Sequence, residues 1–230
     1  MNGDVLTDLD VGRLISFHRE TAAEATIHLT PVDDPSAYGV VELDDTGRVK
    51  RFVEKPAPGT APSNLINAGT YVFEPSVLER IEGGRKVSIE RETFPALVAK
   101  GSLFALSTDD YWIDTGRPDT YRQANFDMLD GRRRISGCDA VAVGAEVDST
   151  AEVDHSLVAA GTKVGARSVL RDTIVLPGAR IGDDCQILGS IVMGRVESEA
   201  NVVDCVIGAD GIVSAGTKLA STSRPDPSQS

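Results

Sequence analysis

Beyond residue 135 the chain keeps a rhythm that few folds accommodate. An aliphatic residue returns at intervals of six, often with a small residue four places after it. The pairs Val147/Ala151, Val158/Thr162, Val164/Ser168, Val175/Ala179, Ile181/Cys185, Val196/Ala200 and Val213/Thr217 carry the pattern. An amphipathic helix would repeat at three and four residues, and a half-buried strand at two. A six-residue period predicts a parallel β-helix, in which three short faces form one triangular coil and each coil buries its core only by stacking on its neighbours. The aliphatic side chain points inward, and the small residue lets the backbone close the corner. The rhythm slips near 155–157 and 188–195, where short insertions are expected to bulge outward. We place the β-helix at 136–220 and a disordered, polar and Pro-rich tail at 221–230.

Residues 1–130 behave differently and read as an α/β domain. Val11, Leu14, Ile15 and His18 share one helical face over 10–22. Strands are expected at 25–32, at 38–43 and 47–54 around the turn Asp44–Gly47, at 66–73, at 103–107 and at 111–114. Helices are expected from Pro75 to about Arg80, from Glu90 to Lys100 despite Pro95, and over 118–130 starting on Pro118.

Charge excludes several function classes. Lys plus Arg number 23 against 35 Asp plus Glu, a net charge of −12. Residues 1–130 hold 13 basic and 22 acidic side chains, and residues 131–230 hold 10 and 13. Such an excess of acid opposes phosphate-backbone binding and polybasic membrane attachment, so neither a nucleic acid nor a membrane is an expected partner. No apolar stretch approaches the roughly 20 residues of a membrane helix, and the opening residues lack a signal-peptide pattern. Three cysteines without CxxC spacing argue against a disulfide scaffold or a Cys-based zinc site, so a cytoplasmic location is expected.

Several short motifs could carry chemistry. Asn2-Gly3-Asp4 stands ahead of the first expected helix, and Tyr111-Trp112-Ile113-Asp114-Thr115-Gly116 ends a strand at an aspartate. Two carboxylates at strand ends suit a Mg2+ ion whose remaining ligands are phosphates and water, although each could equally serve a turn or a helix cap. Glu54-Lys55-Pro56 follows a strand; lysine suits a phosphate and Glu54 could accept hydroxyl hydrogen bonds. Gly39 and Gly69 lie in strands, where glycine marks a bulge or a ligand pressed against backbone. His155, in the first slip of the repeat, is a candidate general base.

In order, NGDVL, YGVVELDDTGRVKRFVEKP, INAGTYVFEPSVLERI, VSIERETFPALVAKG and YWIDTGRPDTYRQAN, closed by hexapeptide repeats, resemble the sugar-phosphate nucleotidyltransferases, and within them the mannose-1-phosphate guanylyltransferases. The resemblance covers residues 1 to about 219. It implies the C-terminal part of a Rossmann-like α/β nucleotidyltransferase domain followed by a left-handed parallel β-helix. It also implies transfer of a nucleotide from a nucleoside triphosphate to a sugar 1-phosphate, with release of pyrophosphate. By resemblance, Asp4 and Asp114 hold the catalytic Mg2+, Lys55 binds the sugar phosphate, and Gly39, Glu54, Asn67 and Gly69 line the sugar pocket. The family's GGxGTRLxPLT and PKP motifs have no counterpart here, so the reading expects a partial catalytic domain, inactive alone and prone to form homo-oligomers through an uncovered sheet edge and apolar faces. A glucose-1-phosphate transferase, a non-catalytic sugar-phosphate-binding or assembly subunit, and a hexapeptide acyltransferase using His155 are the alternatives.

Overall fold

A computed structural model describes residues 1–134 and 138–225; residues 135–137, which include the first two positions of the expected β-helix, and the part of the expected tail at 226–230 lie outside the described residues. Contacts divide the chain into two units, Met1–Ile113 and Asp114–Ser230.

The first unit holds β1 (Val5–Thr7), α1 (Val11–Glu20), β2 (Ala25–Pro31), β3 (Gly39–Leu43), β4 (Val49–Glu54), β5 (Leu65–Phe73), α2 (Pro75–Leu78), a π-helical turn (Ile89–Thr93), α3 (Phe94–Lys100), β6 (Leu103–Ser107) and the start of β7 (Trp112–Asp114). Five strands form one sheet in the order β4-β3-β5-β2-β6, in which β2–β6 is parallel and the other pairings antiparallel. β1 pairs separately with β7. β1 corrects the expectation that Asn2-Gly3-Asp4 leads directly into a helix. A strand and three irregular residues intervene, and α1 starts at its own cap, Asp10, whose carboxylate accepts from Arg13 N–H at 3.2 Å. The helix expected over 90–100 is divided for a physical reason. Pro95 has no N–H to donate, so it sits in the first turn of α3, and the residues before it form the π-helical turn, capped by Ser88.

Alternate residues of β2 face two different environments. Ala25, Ile27 and Leu29 enter an apolar core with Val41, Val49, Phe94 and Leu97. Thr26, His28 and Thr30 are also buried, but they are polar. Thr26 Oγ1 meets His18 Nδ1 of α1 at 2.8 Å, and Thr108 Oγ1 meets His28 Nε2 at 2.8 Å. β4 and β6 are the edge strands of this sheet, and the turn before β4 touches β6 at one bridge, Arg48 to Phe104, with Ala105 N–H donating to Gly47 C=O at 2.8 Å. Large apolar side chains exposed in this unit are scattered, namely Met1, Val11 and Leu78 among the described residues.

One irregularity shapes the middle of the sheet. Ile27 pairs with Tyr71 and Leu29 with Asn67, so Ala68, Gly69 and Thr70 together stand opposite His28 alone. The bulge turns on Gly69, whose φ of 73° favours glycine. Its carbonyls find partners outside the sheet. Trp112 Nε1 donates to Ala68 C=O at 2.9 Å and Asn2 N–H to Gly69 C=O at 2.7 Å. A Cβ at Gly69 would lie 2.9 Å from Asn2 Nδ2 and 3.2 Å from Val5 Cγ2.

In the second unit, α4 (Pro118–Leu129) precedes a parallel β-solenoid of about five turns, built as three five-stranded sheets. Val158, Val164, Leu170, Val175, Ile181, Ile187, Val192, Val196, Val202, Ile207 and Val213 are buried along its axis, as the six-residue rhythm predicts. The slips are shortenings, not the insertions expected. Leu157 registers with Ile174, 17 residues on, and Ile191 with Val206, 15 residues on, each less than three sixes. The short corner turns through left-handed residues His155, Asp172, Gly189, Asp204 and Ser221. Just behind it runs a ladder of buried hydroxyls: Ser156 accepts from Thr173 N–H, Thr173 from Ser190 N–H, and Ser190 from Cys205 N–H. The coil also runs past residue 220, because Ser223–Arg224 pairs with Val206–Ile207 through main-chain bonds that need no apolar side chain. The contact boundary falls ahead of α4, since Phe126 packs on Ile174 and Ile191, whereas the change in sequence rhythm falls behind it. Among the described residues no helix is long and apolar enough to cross a membrane.

Two outcomes follow from the bulge and from His28 opposite it. Gly69→Ala combines backbone strain with a clash on Asn2, and is expected to cost at least ~1 kcal/mol by chemical denaturation; unchanged stability would contradict the bulge geometry. Burial pulls the His28 imidazole down to about 4. The unfolded chain then binds the extra proton first, so stability is full above the ordinary histidine pKa near ~6.5 and falls as pH drops towards 4, by up to ~3 kcal/mol. In His28→Gln the pH slope of stability in this window should flatten; a slope equal to the parent's would refute the assignment.

A candidate sugar-phosphate pocket

The pocket begins where β3 opens and β4 ends. Gly39 pairs with Glu54, and a Cβ at Gly39 would stand 2.7 Å from Phe52 Cζ and 2.9 Å from Glu54 Oε2. Glycine thus leaves the space that the Glu54 carboxylate occupies. Burial, and next the charge of Glu90, push the Glu54 carboxyl above its usual range, while Lys55 and Arg91 act in the opposite direction. Lys55 is held at the end of β4 by its N–H on Tyr38 C=O at 2.9 Å, with φ at 49° just before buried Pro56. Its side chain is exposed and paired with no carboxylate among the described residues.

β5 supplies the facing groups. Asn67 donates through Nδ2 to the Tyr71 hydroxyl at 3.0 Å and accepts from Gly69 N–H at 3.1 Å, so its amide orientation is set by both ends of the bulge. Burial pushes the Tyr71 phenol up to about 12, and the groups acting on it include Asn67, Glu90, Glu54 and Asn2. The same phenol stacks on Phe73 at 5.6 Å and meets Phe94 edge-on at 5.5 Å, which fixes the ring against the core. Trp112 closes another side, edge-on to Tyr38 at 5.8 Å, with its indole N–H held by Ala68 C=O.

The first unit therefore brings Gly39, Glu54, Lys55, Asn67 and Gly69 to one region. It adds Asn2, Tyr71, Glu90 and Trp112, which lie inside the quoted motifs but carry no signal that separates them from ordinary strand residues in a single sequence. Polar groups of both kinds on rigid strands, beside an unpaired cation and backed by aromatic rings, suit a polyhydroxylated anion.

Asp4 precedes β1, and Asp114 is the last residue of β7, the partner of β1. Asp114 does not cap α4. The cap position is Arg117, and one Asp114 oxygen accepts from Gly116 N–H at 2.8 Å in a turn. Hard carboxylate oxygens of this kind fit Mg2+. No group of three or more His, Cys, Asp or Glu side chains among the described residues is arranged to hold a metal by itself. His155 lies on the solenoid with Nδ1 on Asp172 and Nε2 3.4 Å from Asp130. With both ring nitrogens engaged by carboxylates it lacks the free basic nitrogen that a general base requires.

Comparison with known proteins places the chain in a family. A family model for nucleotidyl transferases matches residues 1–131, and one for the GlmU-like C-terminal hexapeptide region matches 123–211. The chain is 37% identical over 195 residues to a mannose-1-phosphate guanylyltransferase of Mycobacterium tuberculosis, covering 81% of this chain and 54% of that protein. It is 37% identical over 212 residues to the probable mannose-1-phosphate guanylyltransferase 3 of Oryza sativa subsp. japonica, covering 90% and 56%. Over 118 residues it is 47% identical to the mannose-1-phosphate guanylyltransferase catalytic subunit beta of Drosophila pseudoobscura pseudoobscura, covering 51% and 31%. The chain thus spans about half the length of the first two of these relatives. Strand pairings, pocket and repeats lead to one statement: this chain belongs to the nucleotidyl transferase family, with a GlmU-like hexapeptide region at its C-terminal side.

Proposed function

We propose that this chain supplies the sugar 1-phosphate side of a nucleotidyltransferase site, and that the full reaction joins mannose 1-phosphate to GTP, giving GDP-mannose and pyrophosphate. The observation that carries this reading is the convergence of Glu54, Asn67 and Tyr71 beside Lys55, with glycine at positions 39 and 69. Lys55 neutralises the sugar phosphate. Glu54 and Asn67 bond the sugar hydroxyls, and the backbone at Gly39 and Gly69 admits the ring closely.

The chemistry asks little proton transfer of the protein. An oxygen of the sugar phosphate is already anionic; it forms a bond to the α-phosphorus of the nucleotide as the bond to pyrophosphate breaks. The obstacle is bringing two polyanions into line, and charge placed by the protein meets it. We assign Asp4 and Asp114 to Mg2+, which when bound would offset phosphate charge. We also assign the protein to the cytoplasm, in keeping with its free cysteines, and to a homo-oligomer, in keeping with outward Val143 and Ile212 on the solenoid side.

Calorimetry with the 230-residue chain tests the pocket. Mannose 1-phosphate should bind, and Lys55→Ala should weaken it roughly tenfold to a hundredfold, the worth of one charge-assisted contact. Mannose without phosphate should bind weakly and ignore the substitution. Equal affinity of parent and variant for the phosphate ester would overturn the role of Lys55. Tighter binding of glucose 1-phosphate would favour the glucose reading.

A further inference from the structure

The short corner of the solenoid meets α4 with side chains that suit that helix. Phe126 stacks on His155, ring centroids 4.5 Å apart and tilted by 30°, and packs on Ile174 and Ile191. At the helix end, Asp130 lies 3.4 Å from His155 Nε2, while Asp172 from the next coil takes Nδ1. Two turns nearer the helix start, Arg122 reaches over Gly189 to Asp204, 3.7 Å away. Corner residues of three coils, His155, Asp172 and Asp204, thus contribute side chains to the seat, all from left-handed positions at the short corner.

We propose that this corner is a seat for α4, and that protonated His155 is a latch which holds the helix and thereby positions the Asp114–Arg117 turn at its start. His155 is a positioning residue here, and its bearing on chemistry rests on the reading of Asp114 given above. Only a doubly protonated imidazole can donate to both carboxylates. The charges facing the ring are Asp130 from the end of α4 and Asp172 from the neighbouring coil. Arg132 is already engaged with Asp127 at 3.0 Å and Asp130 at 3.3 Å, and Asp154, beside His155 on its own coil, is engaged by Arg171 at 2.9 Å. The hydrogen bond to Asp172 first, and then the Asp130 charge, raise the His155 pKa. A raised pKa means that the latch is closed at and below the ordinary histidine range and opens as pH rises through the elevated value.

Amide hydrogen exchange on the full chain, corrected for intrinsic rates and read without sugar or metal, tests this. Between about pH 6 and pH 9 the protection of α4 and of the Gly116 amide should fall roughly threefold to tenfold, the worth of two exposed ion pairs. His155→Asn keeps a residue that tolerates the left-handed corner but cannot be protonated. Its α4 protection should be low and flat with pH, while the amides of Gln186–Leu188 keep their parental values. If the coil amides also weaken in that variant, Asp130→Asn, which lies outside the coil, takes its place and should halve or further reduce the pH dependence. Parental protection that is flat with pH, or a pH dependence that survives both substitutions, would overturn the latch. A failed sugar-phosphate titration would leave it standing, and its own failure would leave the pocket untouched.

Discussion

Two carbonyls leave the β-ladder at the centre of the sheet, and the pocket is arranged around them. A buried carbonyl without a partner costs ~1–3 kcal/mol, so the bulge at Ala68–Thr70 persists only because Trp112 and Asn2 satisfy it. The same two bonds bring the Asn2–Asp4 segment and strand β7 to β5. The bulge also turns the amide of Asn67 towards Tyr71. One left-handed glycine therefore connects the orientation of the Asn67 amide to the Asn2–Asp4 segment.

The solenoid solves a different problem. Its coils bury one aliphatic residue per face, and one corner in each coil is a residue shorter than six. The hydroxyls of Ser156, Thr173 and Ser190 bond the amides that this corner would otherwise orphan. Each such bond contributes about 1 kcal/mol net, but omission of one would cost more than that. The corner is therefore stiff, and its outward side chains are free to meet α4.

How far the sequence reveals this depends on which forces leave a pattern. The six-residue recurrence is written by side-chain burial, so Val158, Val164 and Ile181 announced the solenoid. Main-chain pairing leaves no such mark, so in sequence Ser223–Arg224 resembles a tail and the shortened corners resemble insertions. β1 is three residues long with no fully buried side chain, too brief for any periodicity. The ordered motifs single out Gly39, Glu54, Lys55, Asn67 and Gly69, and the structure brings them to one region, which is the basis of the proposed role. Tyr71, Glu90 and Trp112 are not singled out, because their contribution depends on contacts across strands. His155 shows the converse: an isolated histidine in a loop suggested chemistry, whereas its two carboxylate partners and Phe126 give it a place in packing.

Whether the residues around the β5 bulge receive a sugar 1-phosphate decides the proposed function. The most direct measurement is an amide chemical-shift titration of the isotope-labelled chain with mannose 1-phosphate, with mannose and inorganic phosphate as separate controls. The account predicts saturable shifts concentrated at Gly39, Glu54, Lys55, Asn67 and Gly69, with inorganic phosphate reaching chiefly Lys55. Shifts confined to the solenoid, or none at these residues at saturating ligand, would contradict it.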